Sequence, residues 1–215
     1  MRKIYLSLVV LLLLSGCIHK PLPNVPENWT GEVVNPESLE DKPDIATMQI
    51  VIVYGSSVCN HTASRYYCPG KGALFWDPGG GYGNEGIVKV KRKLDVIVGN
   101  IPTLNDYLYW RTRIPSHSTE IFVWDSNNEK ICEMYDLVSA ASKRDRVNGF
   151  NSNAAGMFCS SATSTFLRDY AQDLLQVDKW GLPHNLSKQL HERKSADKIY
   201  IVDHNTNLIK RYYPK

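Results

Sequence analysis

Residues 61–77 read HTASRYYCPGKGALFWD. Two runs typical of strands, residues 61–67 and 73–77, flank Cys68-Pro69-Gly70-Lys71-Gly72, which is a strong turn sequence. The segment therefore predicts a β-hairpin that turns about Pro69-Gly70. In this hairpin His61 lies directly across from Asp77, because the two positions are equally far from the turn.

Cross-strand partners have Cβ atoms about 4.5–5.5 Å apart, which is close enough for the Asp77 carboxylate to orient the His61 imidazole. A shift of one residue in the pairing would place the two side chains on opposite faces of the sheet. The register of this hairpin therefore decides whether the pair exists.

The rest of the chain predicts a mixed α+β fold. An antiparallel sheet is expected to be packed by a few helices. Apolar periodicity and turn residues predict a buried strand, three helices, a hairpin about residues 125–128 and a final hairpin. Their expected ranges are 48–54 for the strand, 104–113, 134–142 and 158–175 for the helices, 120–124 with 130–133 for the first hairpin, and 199–202 with 208–212 for the last.

Cys159 lies near the start of the helix predicted over residues 158–175, after the small and polar run 151–156. Unpaired amides and the helix dipole favour a thiolate at such a position. The same amides could stabilise the oxyanion formed in acyl transfer. Cys159 is thus the candidate nucleophile, with His61 as general base and Asp77 as the group that orients it. The alternative interpretation is a buried structural thiol.

Three short motifs carry a family resemblance: Asn60-His61-Thr62-Ala63, Leu74-Phe75-Trp76-Asp77 and Met157-Phe158-Cys159-Ser160-Ser161. Their order resembles the circularly permuted NlpC-like hydrolases of the papain fold, in which the histidine strand precedes the cysteine helix. That branch includes lecithin:retinol acyltransferase-like proteins and several bacterial lipoproteins. The resemblance implies a papain-like α+β fold and a catalytic triad of Cys159, His61 and Asp77.

Residues 1–16 predict a signal peptide. Arg2 and Lys3 precede the apolar run 4–14, which is shorter than the roughly 20 residues of a membrane span. The following Leu14-Ser15-Gly16-Cys17 resembles the bacterial lipobox, which implies lipid chains (diacylglycerol and palmitate) on Cys17. Ile18 in place of Asp then favours the outer membrane, facing the periplasm. We expect membrane anchoring through Cys17.

Residues 17–43 contain five prolines and predict an extended tether, which leaves residues 44–215 as one hydrolase domain. The composition, with 43% hydrophobic and 22% charged residues in 215, excludes a disordered chain. The formal net charge falls from +3 to +1 when Arg2 and Lys3 leave with the signal peptide. Such a near-neutral domain gives no electrostatic reason to expect nucleic-acid binding.

Cys59, Cys68 and Cys132 can form at most one disulfide among them. Cys59 and Cys68 lie up to about 30 Å apart if residues 61–67 form a strand, so they cannot bridge. Cys132 could pair with either one. A weaker alternative joins Cys59, His61 and Cys68 in a metal site, but their spacing matches no usual zinc pattern. No metal or cofactor is expected.

These residues together predict a membrane-anchored cysteine hydrolase of the cell envelope that cleaves an amide bond, with peptidoglycan peptides as the first expected substrate. Two alternatives remain: a lipid acyl hydrolase or acyltransferase of the same fold, and a catalytically inactive envelope protein that binds a ligand. His191, in a polar context, is expected at the surface. Four residues are candidates for the substrate cleft: Trp76, Gly79, Gly80 and Ser160.

Overall fold

The structure is a computed structural model. It describes residues 30–55, 61–79, 91–93, 95–98, 103–112, 116–144, 146–148, 150–151, 159–179, 182–193, 195–204 and 206–213. The expected signal peptide, Cys17, Cys59 and Gly80 lie outside the described residues.

Among the described residues, a nine-stranded sheet forms the centre of the fold, and every pairing between its neighbouring strands is antiparallel. Its order is β1-β11-β10-β7-β2-β3-β4-β6-β5, while β8 and β9 pair separately. The strands are β1 (Thr30–Val34), β2 (Thr47–Gly55), β3 (His61–Cys68), β4 (Gly72–Trp76), β5 (Lys91–Lys93), β6 (Val96–Val98), β7 (Ser116–Trp124), β8 (Arg146–Val147), β9 (Phe150–Asn151), β10 (Lys198–Asp203) and β11 (Leu208–Tyr213).

Helices cover both faces of this sheet. The helices are α1 (Leu104–Thr112), α2 (Asn128–Arg144), α3 (Cys159–Tyr170) and α4 (Pro183–Arg193), with a short 3-10 helix at Pro36–Leu39. Apolar residues of α2, α3 and α4 build the larger core against one face. Leu39 and residues of α1 build a smaller core against the other. The expected α+β class with an antiparallel sheet is confirmed.

The hairpin predicted about residues 125–128 is wrong. β7 ends at Trp124, and α2 begins at Asn128, so residues 130–133 are helical. Asn127 lies after the end of the strand and caps the helix, because its side-chain oxygen accepts the N–H of Lys130 at 3.0 Å. Buried apolar residues at helical spacing, Ile131, Met134, Val138 and Ala141, then hold α2 on the sheet.

The expected tether, residues 17–43, overlaps the fold. β1 at Thr30–Val34 pairs with β11 at one edge of the sheet. Asp41 then contacts the buried Arg65 on β3 through two hydrogen bonds, with its Oδ1 2.7 Å from Nη1 and its Oδ2 2.5 Å from Nη2. The described part of this segment therefore belongs to the domain, which begins before residue 44.

α4 was not predicted, and the expectation that His191 lies at the surface is wrong. His191 is buried and its Nε2 lies 2.9 Å from Glu120 Oε1. The fully buried Glu120 also accepts hydrogen bonds from Tyr54 Oη at 2.7 Å and Ser187 Oγ at 2.6 Å. This network, Tyr54, Glu120, Ser187 and His191, attaches α4 to β2 and β7.

Replacing Ser187 with Ala is expected to lower the free energy of unfolding by about 2 kcal/mol, the usual cost of taking one hydrogen-bond partner away from a buried polar group. Urea unfolding measures this change. The matched control is Ser126→Ala at an exposed position, which is expected to change stability by less than about 0.5 kcal/mol. Equal stability of the two variants would show that Ser187 does not support Glu120.

Candidate active site

His61 and Asp77 are in contact at one end of the sheet. His61 is the first residue of β3, Asp77 follows the last residue of β4, and His61 Nε2 lies 2.6 Å from Asp77 Oδ1. The predicted position directly across the hairpin is wrong, because Ser64 pairs with Trp76 and Cys68 with Gly72. This register places His61 two residues beyond the position opposite Asp77. An even displacement keeps both side chains on one face, so they meet diagonally.

The Asp77 carboxyl group is buried and fixed. Its side chain has no exposed surface, whereas 14% of the His61 side chain remains exposed. The backbone N–H of Asp77 donates to the carbonyl oxygen of Asp95 at 2.8 Å, which ties the end of β4 to the chain before β6. A carboxylate held in this way can orient the imidazole and stabilise its protonated form.

Cys159 is the first residue of α3 and lies beside β3. The backbone N–H of Thr62 donates to Cys159 Sγ at 3.3 Å. Pairing between β3 and β4 stops at Ser64 and Trp76, so Thr62 lies beyond the last bridge on that side. The end of β4 therefore leaves room for the cysteine next to the strand that carries His61.

The electrostatic surroundings favour the thiolate of Cys159. Burial alone raises the pKa of this thiol. The hydrogen bond and positive charge of His61, together with the N–H groups of Thr62 and Ser160, outweigh burial and hold the pKa below its ordinary value. Because Nε2 of His61 faces Asp77, Nδ1 is the ring nitrogen left for the thiol.

The three predicted triad residues are thus brought together, and Thr62 joins them through its backbone. No side-chain type signals this role, because any residue except proline can donate a backbone N–H. The arrangement contains a partly exposed thiol of lowered pKa, an imidazole beside it and a buried carboxylate behind the imidazole. This geometry can perform nucleophilic catalysis.

The candidate cleft residues divide into different environments. Trp76 is a core residue and does not line a cleft, because it is 1% exposed and packs on the rings of Phe150 and Phe166 at 5.0 and 5.4 Å. The Ser160 side chain is also fully buried, and the backbone N–H of Ser160 contributes to lowering the Cys159 pKa. Gly79 is exposed at a φ of 63°, which suits a turn directly after Asp77.

A disulfide joins Cys68 to Cys132 and resolves the pairing that the sequence left open. The alternative metal site of Cys59, His61 and Cys68 is therefore wrong, since a disulfide sulfur is not available as a thiolate ligand. Within the described part of the chain, no three His, Cys, Asp or Glu side chains come together as a metal site needs.

In comparisons with known proteins, the chain matches no protein family, no curated protein and no solved structure. Among the described residues, no helix has both the length and the apolar character that a membrane span requires. The geometry around Cys159 is therefore the feature of this protein that points to a function.

Proposed function

We propose that this protein is a cysteine hydrolase in which Cys159 attacks an acyl carbon, with His61 as general base and Asp77 as its orienting partner. The observation that carries the proposal is the position of His61. His61 Nε2 lies 2.6 Å from the buried Asp77 carboxylate. The same imidazole forms a hydrogen bond with the Cys159 thiol and lowers its pKa.

The reaction follows from these positions. The Cys159 thiolate adds to the carbonyl carbon, and the oxyanion that forms is stabilised by N–H groups at the start of α3. The His61 imidazolium then gives its proton to the leaving amine as the carbon–nitrogen bond breaks, which leaves a thioester on Cys159. Water, deprotonated by His61, attacks the thioester and releases a carboxylic acid and the free thiol.

The order of the elements supports the circularly permuted NlpC-like, papain-type fold for the domain. The strand of His61 and the strand that precedes Asp77 both come before the helix that begins with Cys159. That helix packs on the face of an antiparallel sheet and directs its first residue at β3. This arrangement agrees with the family that the three sequence motifs resemble.

We further propose the bacterial cell envelope as the location, with Cys17 as the lipid anchor and an amide of peptidoglycan peptides as the first substrate. The disulfide between Cys68 and Cys132 supports an oxidising compartment, because such bonds are rare in the cytosol. A lipoprotein in that compartment meets peptidoglycan as its most abundant amide substrate.

The first test is the pH dependence of Cys159 alkylation by iodoacetamide in the purified protein, with each cysteine followed by peptide mass. We expect reaction well below the ordinary thiol pKa of about 8.5 in the wild type. In His61→Ala the midpoint is expected to move to higher pH, because the positive charge beside the thiolate is lost.

His204→Ala is the matched control. His204 is also partly buried and lies 3.0 Å from the Thr119 hydroxyl, whereas the groups that lower the Cys159 pKa are His61, Thr62 and Ser160. Its alkylation profile is expected to equal that of the wild type. If the His61→Ala profile coincided with that of the wild type, the thiolate–imidazolium pair would not exist, and the proposed hydrolase activity would be contradicted.

A further inference from the structure

The packing of α3 along β3 is fixed by contacts at two levels. At the first level, Thr62 donates its N–H to Cys159 Sγ at 3.3 Å. At the second level, the rings of Tyr66 and Phe166 meet edge to face with centroids 6.0 Å apart. The helix therefore runs alongside the strand from its first residue.

Residues between these two levels can be placed from ordinary helix and strand dimensions. Thr163 lies four residues after Cys159, which is one helical turn or about 6 Å along the axis. Ser64 lies two residues after Thr62, or about 6.6 Å along the strand, and on the same face. Thr163 and Ser64 thus face each other behind the thiol.

This interface carries buried hydroxyl groups in place of apolar side chains. Thr62 Oγ1, Ser64 Oγ, Tyr66 Oη and Thr163 Oγ1 are all inaccessible, and none makes a hydrogen bond of normal geometry among the described residues, although Ser64 lies close enough to the Tyr66 hydroxyl to act on its pKa. Burial raises the pKa of Tyr66, so its phenol keeps its proton and remains a donor. Buried hydroxyl groups are normally paired with protein atoms or with ordered water.

We propose that an ordered internal water binds between Ser64, Thr163 and Tyr66, and that it holds the first turns of α3, and so Cys159, against β3. Three hydroxyl partners match the usual hydrogen-bond number of a buried water. A substrate group cannot occupy this position, because all three side chains are sealed from solvent. Such a water would hold Cys159 in place whichever reaction the thiol performs.

A double-mutant cycle tests the water, using Ser64→Ala, Thr163→Val and the combined variant. If a water links the two hydroxyls, each single change leaves the remaining partners unsatisfied, and we expect the melting temperature to fall by about 2–4 °C. The combined variant is expected to lose less than the sum of the two. The proposal would be overturned if Ser64→Ala and Thr163→Val each raised the melting temperature and the two increases were additive. That result would mean that each substitution removes a buried hydroxyl group that has no water bound to it.

Thr165→Val is the matched control on the same helix. Thr165 Oγ1 is also buried and lacks a partner among the described residues, but residue 165 lies about 200° around the helix from residue 163. We expect this variant to keep or raise the melting temperature. A crystal structure of the wild type tests the water directly. We expect an electron-density peak within hydrogen-bond distance of Ser64 and Thr163. A dry interface contradicts the proposal.

The positioning role has its own measurement, the pH profile of Cys159 alkylation at a temperature where every variant is folded. In Ser64→Ala and Thr163→Val the midpoint is expected to move to higher pH, because Cys159 Sγ is held less firmly by the Thr62 N–H. Thr165→Val is expected to leave the midpoint unchanged. Unchanged midpoints in all three variants would show that the hydroxyl groups affect stability alone.

Discussion

Amide hydrolysis by the purified protein is expected to stop in Cys159→Ala and to fall by about 10²–10⁴-fold in His61→Ala. The first variant lacks the attacking sulfur. The second lacks the group that receives and returns the proton, while the thiol remains. Release of new amino groups from purified peptidoglycan fragments measures the rate, and mass spectrometry detects the thioester on Cys159.

Changes at Asp77 give a graded series for the same reaction. Asp77→Asn keeps a side-chain oxygen that can accept from His61 Nε2 but removes the negative charge, so a partial loss is expected. Asp77→Ala removes the contact at 2.6 Å altogether and is expected to lose more. Equal losses in the two variants would indicate that Asp77 supports the fold of the site and does not orient the imidazole.

The substrate class is tested by measuring hydrolysis of amide bonds and of ester bonds under the same conditions. We expect turnover of peptidoglycan peptides and no turnover of phospholipid esters in mixed micelles. Turnover of the esters alone, lost in Cys159→Ala, keeps the triad and changes the substrate class. A protein that alkylates as expected but cleaves neither substrate would be a binding protein with an intact thiolate–imidazolium pair.

Removing the disulfide is expected to lower the free energy of unfolding by about 4 kcal/mol. Cys68 and Cys132 are 64 residues apart in sequence, and a cross-link that closes a loop of this size restricts the unfolded chain strongly. Urea unfolding of the double variant Cys68→Ala, Cys132→Ala measures the change. The same loss is expected when a dithiol reduces the wild type, whereas the double variant is expected to be insensitive to the dithiol.

Reactivity of Cys159 is expected to survive the loss of this disulfide. Cys68 and His61 lie at opposite ends of β3, about 23 Å apart at roughly 3.3 Å per residue. Lys71 Nζ also stays 2.7 Å from the Asp136 carboxylate, and Tyr135 Oη donates to the Lys71 carbonyl at 3.0 Å. A shifted alkylation profile in the double variant would mean that the disulfide controls the position of His61.

The sequence predicted the hairpin of residues 61–77 because its strands and turn are local features. It did not predict the register, because two glycines in the turn, Gly70 and Gly72, both take a positive φ and place Cys68 opposite Gly72. Side-chain alternation, which has a period of two residues, still brought His61 and Asp77 to one face. The contact was therefore predictable even though the pairing was two residues away.

One failure has its physical origin in polar groups that tertiary contacts bury. In α4, Ser187 and His191 face inward because they bind the buried Glu120. The inner face of the helix therefore contains polar residues, and its sequence lacks a regular apolar pattern. Long-range partners decide these two positions. The other failure is local, because Asn127 caps a helix three residues after β7 ends, and local sequence does not distinguish such a cap from a hairpin turn.

Because β1 and β11 are neighbouring strands, the order of the elements along the chain could be permuted without changing the fold. Thr30 and Tyr213 are paired residues at the edge of the sheet, so a linker of a few residues could join them at small entropic cost. The ring formed in this way could be opened on the N-terminal side of Cys159, the first residue of α3. Synthesis would then begin with the cysteine helix and reach the histidine strand later, while every contact within the folded domain stayed the same.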